Sequence, residues 1–204
     1  MRLMKIMGIA LAGLLLFGAL ALAVPSPRDQ VKQTVDQVLE VLRNKSLTGQ
    51  PRRETLSRLI RARFDFTIMS QRTLGKFWKE ASPPEQARFV ALFSDLLEAN
   101  YVGRIEAYSG ETVNYRGERV DGDLAEVDTS IHSGNINIPT SYRLVLKNGQ
   151  WFVYDVIIED VSLIKNYRNS YGEIVRREGY AALFARMEEK IRELRAAPGK
   201  ESKG

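Results

Sequence analysis

Asn148-Gly149 is the tightest local constraint in this chain. A two-residue type I′ hairpin turn needs positive φ at both central positions, which Asn and Gly tolerate best, and the dipeptide separates the segments YRLVLK and WFVYDVII. With these two residues as the loop, Leu146 faces Trp151, Leu144 faces Val153 and Tyr142 faces Asp155, all on one side of a sheet. The other side then carries Val145, Phe152, Tyr154, Val156 and Ile158. A strand that is apolar on both faces must be covered on both. One cover follows directly. After Ser162, an N-cap residue, the residues Ile164, Tyr167, Tyr171, Ile174 and Val175 recur at helical spacing, opposite Lys165, Arg168, Glu173 and Arg176.

Upstream, residues 28–109 read as helical. Val31, Val35, Val38, Leu39 and Leu42 mark a first amphipathic helix that stops near Thr48-Gly49, and a second follows Pro51 with Leu56, Leu59 and Ile60 on one side. The second also carries Arg52, Arg53, Arg58, Arg61 and Arg63, read either as a solvated face or as a docking patch for an acidic partner or anionic head group. A short helix over residues 64–78 offers Phe66, Met69, Leu74, Phe77 and Trp78 to the interior and is ended or bent at Gly75. Ser82-Pro83-Pro84-Glu85 opens the longest helix, with the stripe Phe89, Phe93, Leu96, Leu97, Tyr101, Ile105 and Tyr108.

From Glu111 the apolar period changes to two. Val113 and Tyr115, then Ala125, Val127, Thr129 and Ile131, then residues 138–147, precede the strand after the turn, giving an antiparallel meander of about four strands. Gly179 ends the helix after Ser162, and Leu183, Phe184, Met187, Ile191 and Leu194 stripe a last one. The fold class is α+β, with several amphipathic helices packed on an antiparallel sheet.

Residues 1–5 are a short basic segment, residues 6–22 are apolar, and Ala21-Leu22-Ala23 fits a small-x-small cleavage site. Residues 1–23 therefore read as a signal peptide, with an uncleaved inner-membrane anchor as the alternative; either places the rest of the chain outside the cytoplasm. Residues 24–197 are expected to form one domain, with a helical part (28–109) and a sheet-plus-helix part (111–197), and residues 198–204 a polar, disordered tail. The chain has 30 basic and 25 acidic residues, a net +5. Part of that excess lies in the leader, so nucleic acid is not indicated. Cysteine is absent, which excludes thiol catalysis, disulfides and a lipid-anchored cysteine.

No catalytic or metal-binding constellation is present. His132 is the one histidine and stands on a polar strand end, and no phosphate-cradling Gly-rich loop or nucleophile elbow occurs. Asp155 is the one acid placed among apolar neighbours by the hairpin register. It must find donors or take up a proton, which points to a structural hydrogen-bond network or to a polar group at the edge of a cavity.

The run W-x-V-Y-D-V-x-I-E-x-V-S-L-x-x-N-Y-R from Trp151 to Arg168 resembles the signature of the MlaC, or toluene-tolerance auxiliary, family of periplasmic phospholipid-binding proteins. So do D-F-x-x-M-S at Asp65 to Ser70, L-G-x-x-W at Leu74 to Trp78 and F-x-x-L-F-x-x-L-L-x-x-x-Y at Phe89 to Tyr101. Asp160 departs from the pattern, standing where a glycine is expected. The resemblance implies a curved sheet and helices around an apolar lipid cavity, with phospholipid as cargo and no other cofactor. It also implies a role in maintaining outer-membrane lipid asymmetry, with an outer-membrane lipoprotein-porin complex and an inner-membrane ABC transporter with its MCE-domain protein as partners. On that basis Phe66, Met69, Trp78, Phe93, Leu97, Tyr101, Leu144, Trp151, Val153 and Tyr167 are the expected pocket lining, with Lys165 and Arg168 at a head-group entrance. A carrier of another apolar lipid such as a hopanoid, or a non-carrier adaptor with a solid core, are the alternatives.

Overall fold

A computed structural model describes residues 24–107 and 110–196. The expected signal peptide (1–23), the polar tail (198–204) and Tyr108 lie outside the described residues. Asn148 and Gly149 take φ of 52° and 73°, the positive pair the turn requires, and join β3 (Ile136–Lys147) to β4 (Gln150–Ile158). Leu146 pairs with Trp151 and Leu144 with Val153, as counting from the turn predicts. Beyond them the register shifts, so that Arg143 faces Asp155 and Tyr142 faces Val156. Tyr154 is the extra residue of a β-bulge. Because strand side chains alternate with period two, one inserted residue moves everything after it to the opposite face. The expected Tyr142–Asp155 pair is therefore absent: Val156 and Ile158 join Trp151 and Val153 on one face, and Asp155 leaves it.

The sheet is the expected meander, in the order β1 (Thr112–Asp121), β2 (Leu124–Ser133), β3, β4, with a fifth two-residue strand, β5 (Val161–Ser162), added at the edge. Glu159 and Asp160, with φ of 48° and 65°, turn the chain so that Ile158 pairs with Val161 and Ile157 with Ser162. A second bulge in β1, between Tyr115 and Gly117, adds to the bend that the Tyr154 bulge introduces.

The helices have the starts their sequences encode. Ser26 caps α1 (Pro27–Arg43) by accepting the Asp29 N–H at 3.0 Å, and Asp65 caps α3 (Phe66–Leu74) by accepting the Ile68 N–H at 2.8 Å. Between them lies α2 (Gly49–Arg61). The helix expected over 64–78 is ended at Gly75, as the sequence marks: Gly75 takes φ 57° and ψ −120°, outside the helical region, and separates α3 from α4 (Lys76–Glu80). At the start of α5 (Pro83–Glu106), Glu85 reaches back to accept the Ser82 N–H at 2.8 Å, half of a capping box. The last helix, α6 (Leu163–Ala196), is broken at Gly179, where φ 81° and ψ 178° interrupt it at the position where the sequence marks a stop.

Two apolar clusters hold these elements. Phe89, Phe93 and Leu96 of α5, Met69 and Leu74 of α3, and Tyr171, Leu183 and Phe184 of α6 form the larger, into which bulged Tyr154 projects. The smaller joins Val31 of α1 to Ala125, Val127, Leu144, Trp151 and Val153 of the sheet.

Candidate functional site

Side chains do not fill the space between α1, α2, α5 and the sheet. A cavity of about 550 Å³ remains there, within the ~300–1,000 Å³ typical of ligand pockets. Its wall is mostly apolar: Val35, Val38, Leu39 and Leu42 from α1, Ile60 from α2, Phe66 and Met69 from α3, Leu97, Tyr101 and Ile105 from α5, and Ile131, Ile138, Tyr142, Leu144, Val153, Val156 and Ile158 from the strands. The α1 stripe explains itself physically. Its spacing is that of a core-facing helix, yet Val35, Val38, Leu39 and Leu42 are only partly buried, because they face a void.

The strands give the cavity a direction. Near the Asn148-Gly149 turn it is closed by Val31, Met69, Leu144, Trp151 and Val153, with exposures of 5, 0, 1, 4 and 6%. The indole N–H of Trp151 donates to the Pro25 carbonyl at 3.1 Å, so the ring shows the cavity only its apolar body. At the far end of the strands the lining includes Arg104, Ile105, Glu111 and Ile158, of which Ile158 is 37% exposed. Ile136 and Val161 continue the apolar surface outward there. Ile136 follows the alternation of Ile138 and Thr140, and Val161 sits directly opposite Ile158, so both lie on the cavity face; they are 63% and 60% exposed. This is the open end.

Among the expected lining residues, Phe66, Met69, Leu97, Tyr101, Leu144, Trp151 and Val153 border the cavity. Phe93, Tyr167 and Trp78 do not. Phe93 stacks on Phe89 at 5.4 Å and meets Tyr167 edge-on at 5.3 Å, and Trp78 packs against the same helical core. The cause is helix geometry: residues four apart drift by about 40° per step at 3.6 residues per turn, so one row of α5 turns from α6 at Phe89 and Phe93 to the cavity at Leu97, Tyr101 and Ile105.

Lys165 and Arg168 are not at the entrance either. The Arg168 Nε donates to the Arg72 carbonyl at 2.6 Å, and its Nη2 bonds the same oxygen, a cation satisfying the last turn of α3. Lys165 is exposed in the first turn of α6 and outside the lining. The arginines of α2 are largely engaged within the chain: Arg61 with Asp95 and Glu98, both at 2.8 Å, and Arg53 with Glu106 at 2.9 Å. These half-exposed pairs tie α2 to α5. The α1 stripe, Tyr142, Val156, Ile158 and Arg104 were not anticipated as lining. The α1 stripe was visible as a pattern, but periodicity does not separate a wall facing a void from one facing a core.

Asp155 has a structural environment. Its carboxylate accepts from Ser162 Oγ and the Ile164 N–H, with Arg143 Nη1 at 3.6 Å. His132 Nε2 lies 2.9 Å from Asn114 Nδ2 on an exposed strand face. Burial raises the phenol pKa of Tyr142, keeping that wall uncharged. Among the described residues no group of three or more His, Asp or Glu could hold a metal ion, and no helix is long and apolar enough to cross a membrane.

Comparison with known proteins agrees with the fold and the cavity. Toluene tolerance protein ttg2D of Pseudomonas putida is 24% identical over 170 residues, covering 80% of this chain and 79% of that protein. The intermembrane phospholipid transport system binding protein MlaC of Haemophilus influenzae is 24% identical over 124 residues, and the match spans 58% of each protein. The solved structure of a phospholipid-binding protein from Ralstonia solanacearum, in complex with a phospholipid, matches with a TM-score of 0.76 and 25% identity, covering 84% of this chain and 99% of that one. The family model for MlaC protein matches residues 32–189, well over half of the sequence, and this chain belongs to the MlaC family.

Proposed function

We propose that this chain is a periplasmic phospholipid carrier, in which residues 24–197 act as one lipid-binding unit that moves lipid between an outer-membrane lipoprotein-porin complex and an inner-membrane ABC transporter with its MCE-domain protein. The observation that carries this reading is the cavity: a mostly apolar space of about 550 Å³, bounded by buried residues at one end and by exposed apolar ones at the other, in a chain whose fold matches a solved protein that holds a phospholipid. Phe66, Met69, Leu97, Tyr101, Leu144, Trp151 and Val153 are the residues that would meet acyl chains.

The energetics suit exchange. Moving ~30 methylenes from water at ~0.8 kcal/mol each exceeds the ceiling of noncovalent affinity, about 18–21 kcal/mol. A bilayer, however, offers the same lipid nearly the same gain. The cavity thus competes with a membrane, transfer is close to thermoneutral, and direction is set by the donor and acceptor complexes.

Native mass spectrometry of the exported, detergent-free protein, with lipid identification from the same sample, tests this. A discrete phospholipid mass is the expected result. A polypeptide that is bare and stays bare after incubation with liposomes overturns it, and a different apolar lipid, such as a hopanoid, replaces the cargo.

A further inference from the structure

The cavity wall carries three guanidinium groups, from Arg61, Arg63 and Arg104, and their surroundings differ. Arg61 is neutralised by Asp95 and Glu98. Arg63 donates to the Gln150 side chain at 3.3 Å, beside the hairpin turn that marks the closed end. Arg104 stands at the open end, is exposed, and has no ion pair among the described residues. Its guanidinium carbon lies 5.7 Å from the centroid of the Tyr101 ring, a cation-π distance.

Tyr101 itself lines the cavity. One face of its environment is the apolar interior and the other is the cation, so the ring marks the boundary between them. A lipid whose chains enter the cavity must leave its phosphodiester at that boundary, because the apolar wall offers an anion nothing in place of water. A guanidinium is the side chain best suited to meet it there, since its planar fork of N–H donors matches two phosphate oxygens at once. The Glu111 carboxylate lines the same end, so this is a single cation at a mixed rim and not a basic patch.

We infer that Arg104 is the head-group residue of the cavity, binding the phosphodiester of a lipid whose acyl chains lie inside. The inference rests on the carrier reading above and adds to it a specificity for phosphate-bearing over uncharged two-chain lipids.

The test is a competition. The full exported chain, stripped of lipid, is incubated with vesicles containing phosphatidylglycerol and diacylglycerol of identical acyl chains in known ratio, and the two bound species are counted by native mass spectrometry. A parallel arm adds inorganic phosphate. The wild-type chain is expected to enrich phosphatidylglycerol, and Arg104→Gln to lower that enrichment about tenfold, corresponding to ~1.4 kcal/mol. Arg104→Lys, which keeps the charge but not the fork, falls between them. Inorganic phosphate is expected to leave the ratio unaltered; a ratio that collapses with it shows a free-phosphate site and overturns the lipid assignment. Equal uptake of both lipids by the wild-type chain, or an unchanged ratio in folded Arg104→Gln, overturns the inference while leaving the carrier reading intact. Uptake of neither lipid by the wild-type chain overturns both.

Discussion

Asp155 Oδ2 accepts the hydroxyl of Ser162 at 2.7 Å, and this one contact ties the end of β4 to the start of α6. Ser162 Oγ in turn accepts the Lys165 N–H at 3.0 Å, and Asp155 Oδ1 accepts the Ile164 N–H at 3.1 Å, so two of the donors that a helix start leaves open are satisfied. The arrangement depends on the Tyr154 bulge. Without the extra residue the carboxylate would face the apolar cavity, where it would have no donor. Asp155→Ala removes the acceptor and strands a buried N–H, a loss of about 1–3 kcal/mol. The urea midpoint of the variant should fall accordingly with an unchanged slope, and its bound lipid, once folded, should match wild type. Loss of lipid at full stability would instead make Asp155 a cargo residue.

Asp160 adopts a positive φ of 65° in the turn between β4 and β5. L-residues with a β-carbon are disfavoured there by roughly 1–2 kcal/mol, less for Asp, and glycine is not. Asp160→Gly should therefore stabilise the chain by about 0.5–1 kcal/mol, a rise of ~1–4 °C in Tm. A lower Tm would mean that the Asp160 side chain makes a contact outweighing its backbone strain.

The hairpin, the meander and the helix starts were legible because each rests on local chemistry: Asn148-Gly149, Ser82 with Glu85, and Gly75 and Gly179 act on their immediate neighbours. The bulge was not, since it is decided by what each face of β4 packs against and not by the strand itself. A clue was present, in that unbroken alternation would have placed Asp155 among apolar residues while Val156 and Ile158 pointed elsewhere. The site divides in the same way. Leu97, Leu144 and Val153 follow from registers that hold locally, whereas the separation of Phe93 from Tyr101 on one helix row depends on where α6 and α1 sit. Arg104 was illegible because a cation on a helix gives no sign of which end of a cavity it will border.

Two phenols in the helical core should make the protein sensitive to alkali. Burial, with the neighbouring Tyr101 phenol adding to it, pushes Tyr167 up to about 12, and burial also raises Tyr171. In the unfolded chain a tyrosine ionises near pH 10. Between about pH 10 and 12 the native state therefore holds more protons than the unfolded state, and stability declines with rising pH. The slope is up to ~1.4 kcal/mol per pH unit for each such group. Urea midpoints measured from pH 9 upward should be flat at first and then decline, and Tyr167→Phe should make the decline shallower. An unchanged slope in that variant would show Tyr167 ionising in the folded protein as it does in water.

Leu97 and Phe93 stand one helical turn apart on α5 and should respond to substitution in opposite ways. Leu97 borders the cavity, so Leu97→Trp can extend into existing space, with a stability change of about 1 kcal/mol or less where no repacking is needed. The added ring occupies volume that acyl chains would use, and bound lipid should drop severalfold in a folded protein. Phe93 is fully buried between Phe89 and the α6 tyrosines, so Phe93→Ala opens a hole in a close-packed core and should cost about 3–5 kcal/mol. Lipid per folded molecule should stay near the wild-type value. Chemical denaturation and lipid counting on both variants separate the two roles; if Leu97→Trp keeps its lipid while unfolding more easily, Leu97 belongs to the core with Phe93 and the acyl chains take another route through the cavity.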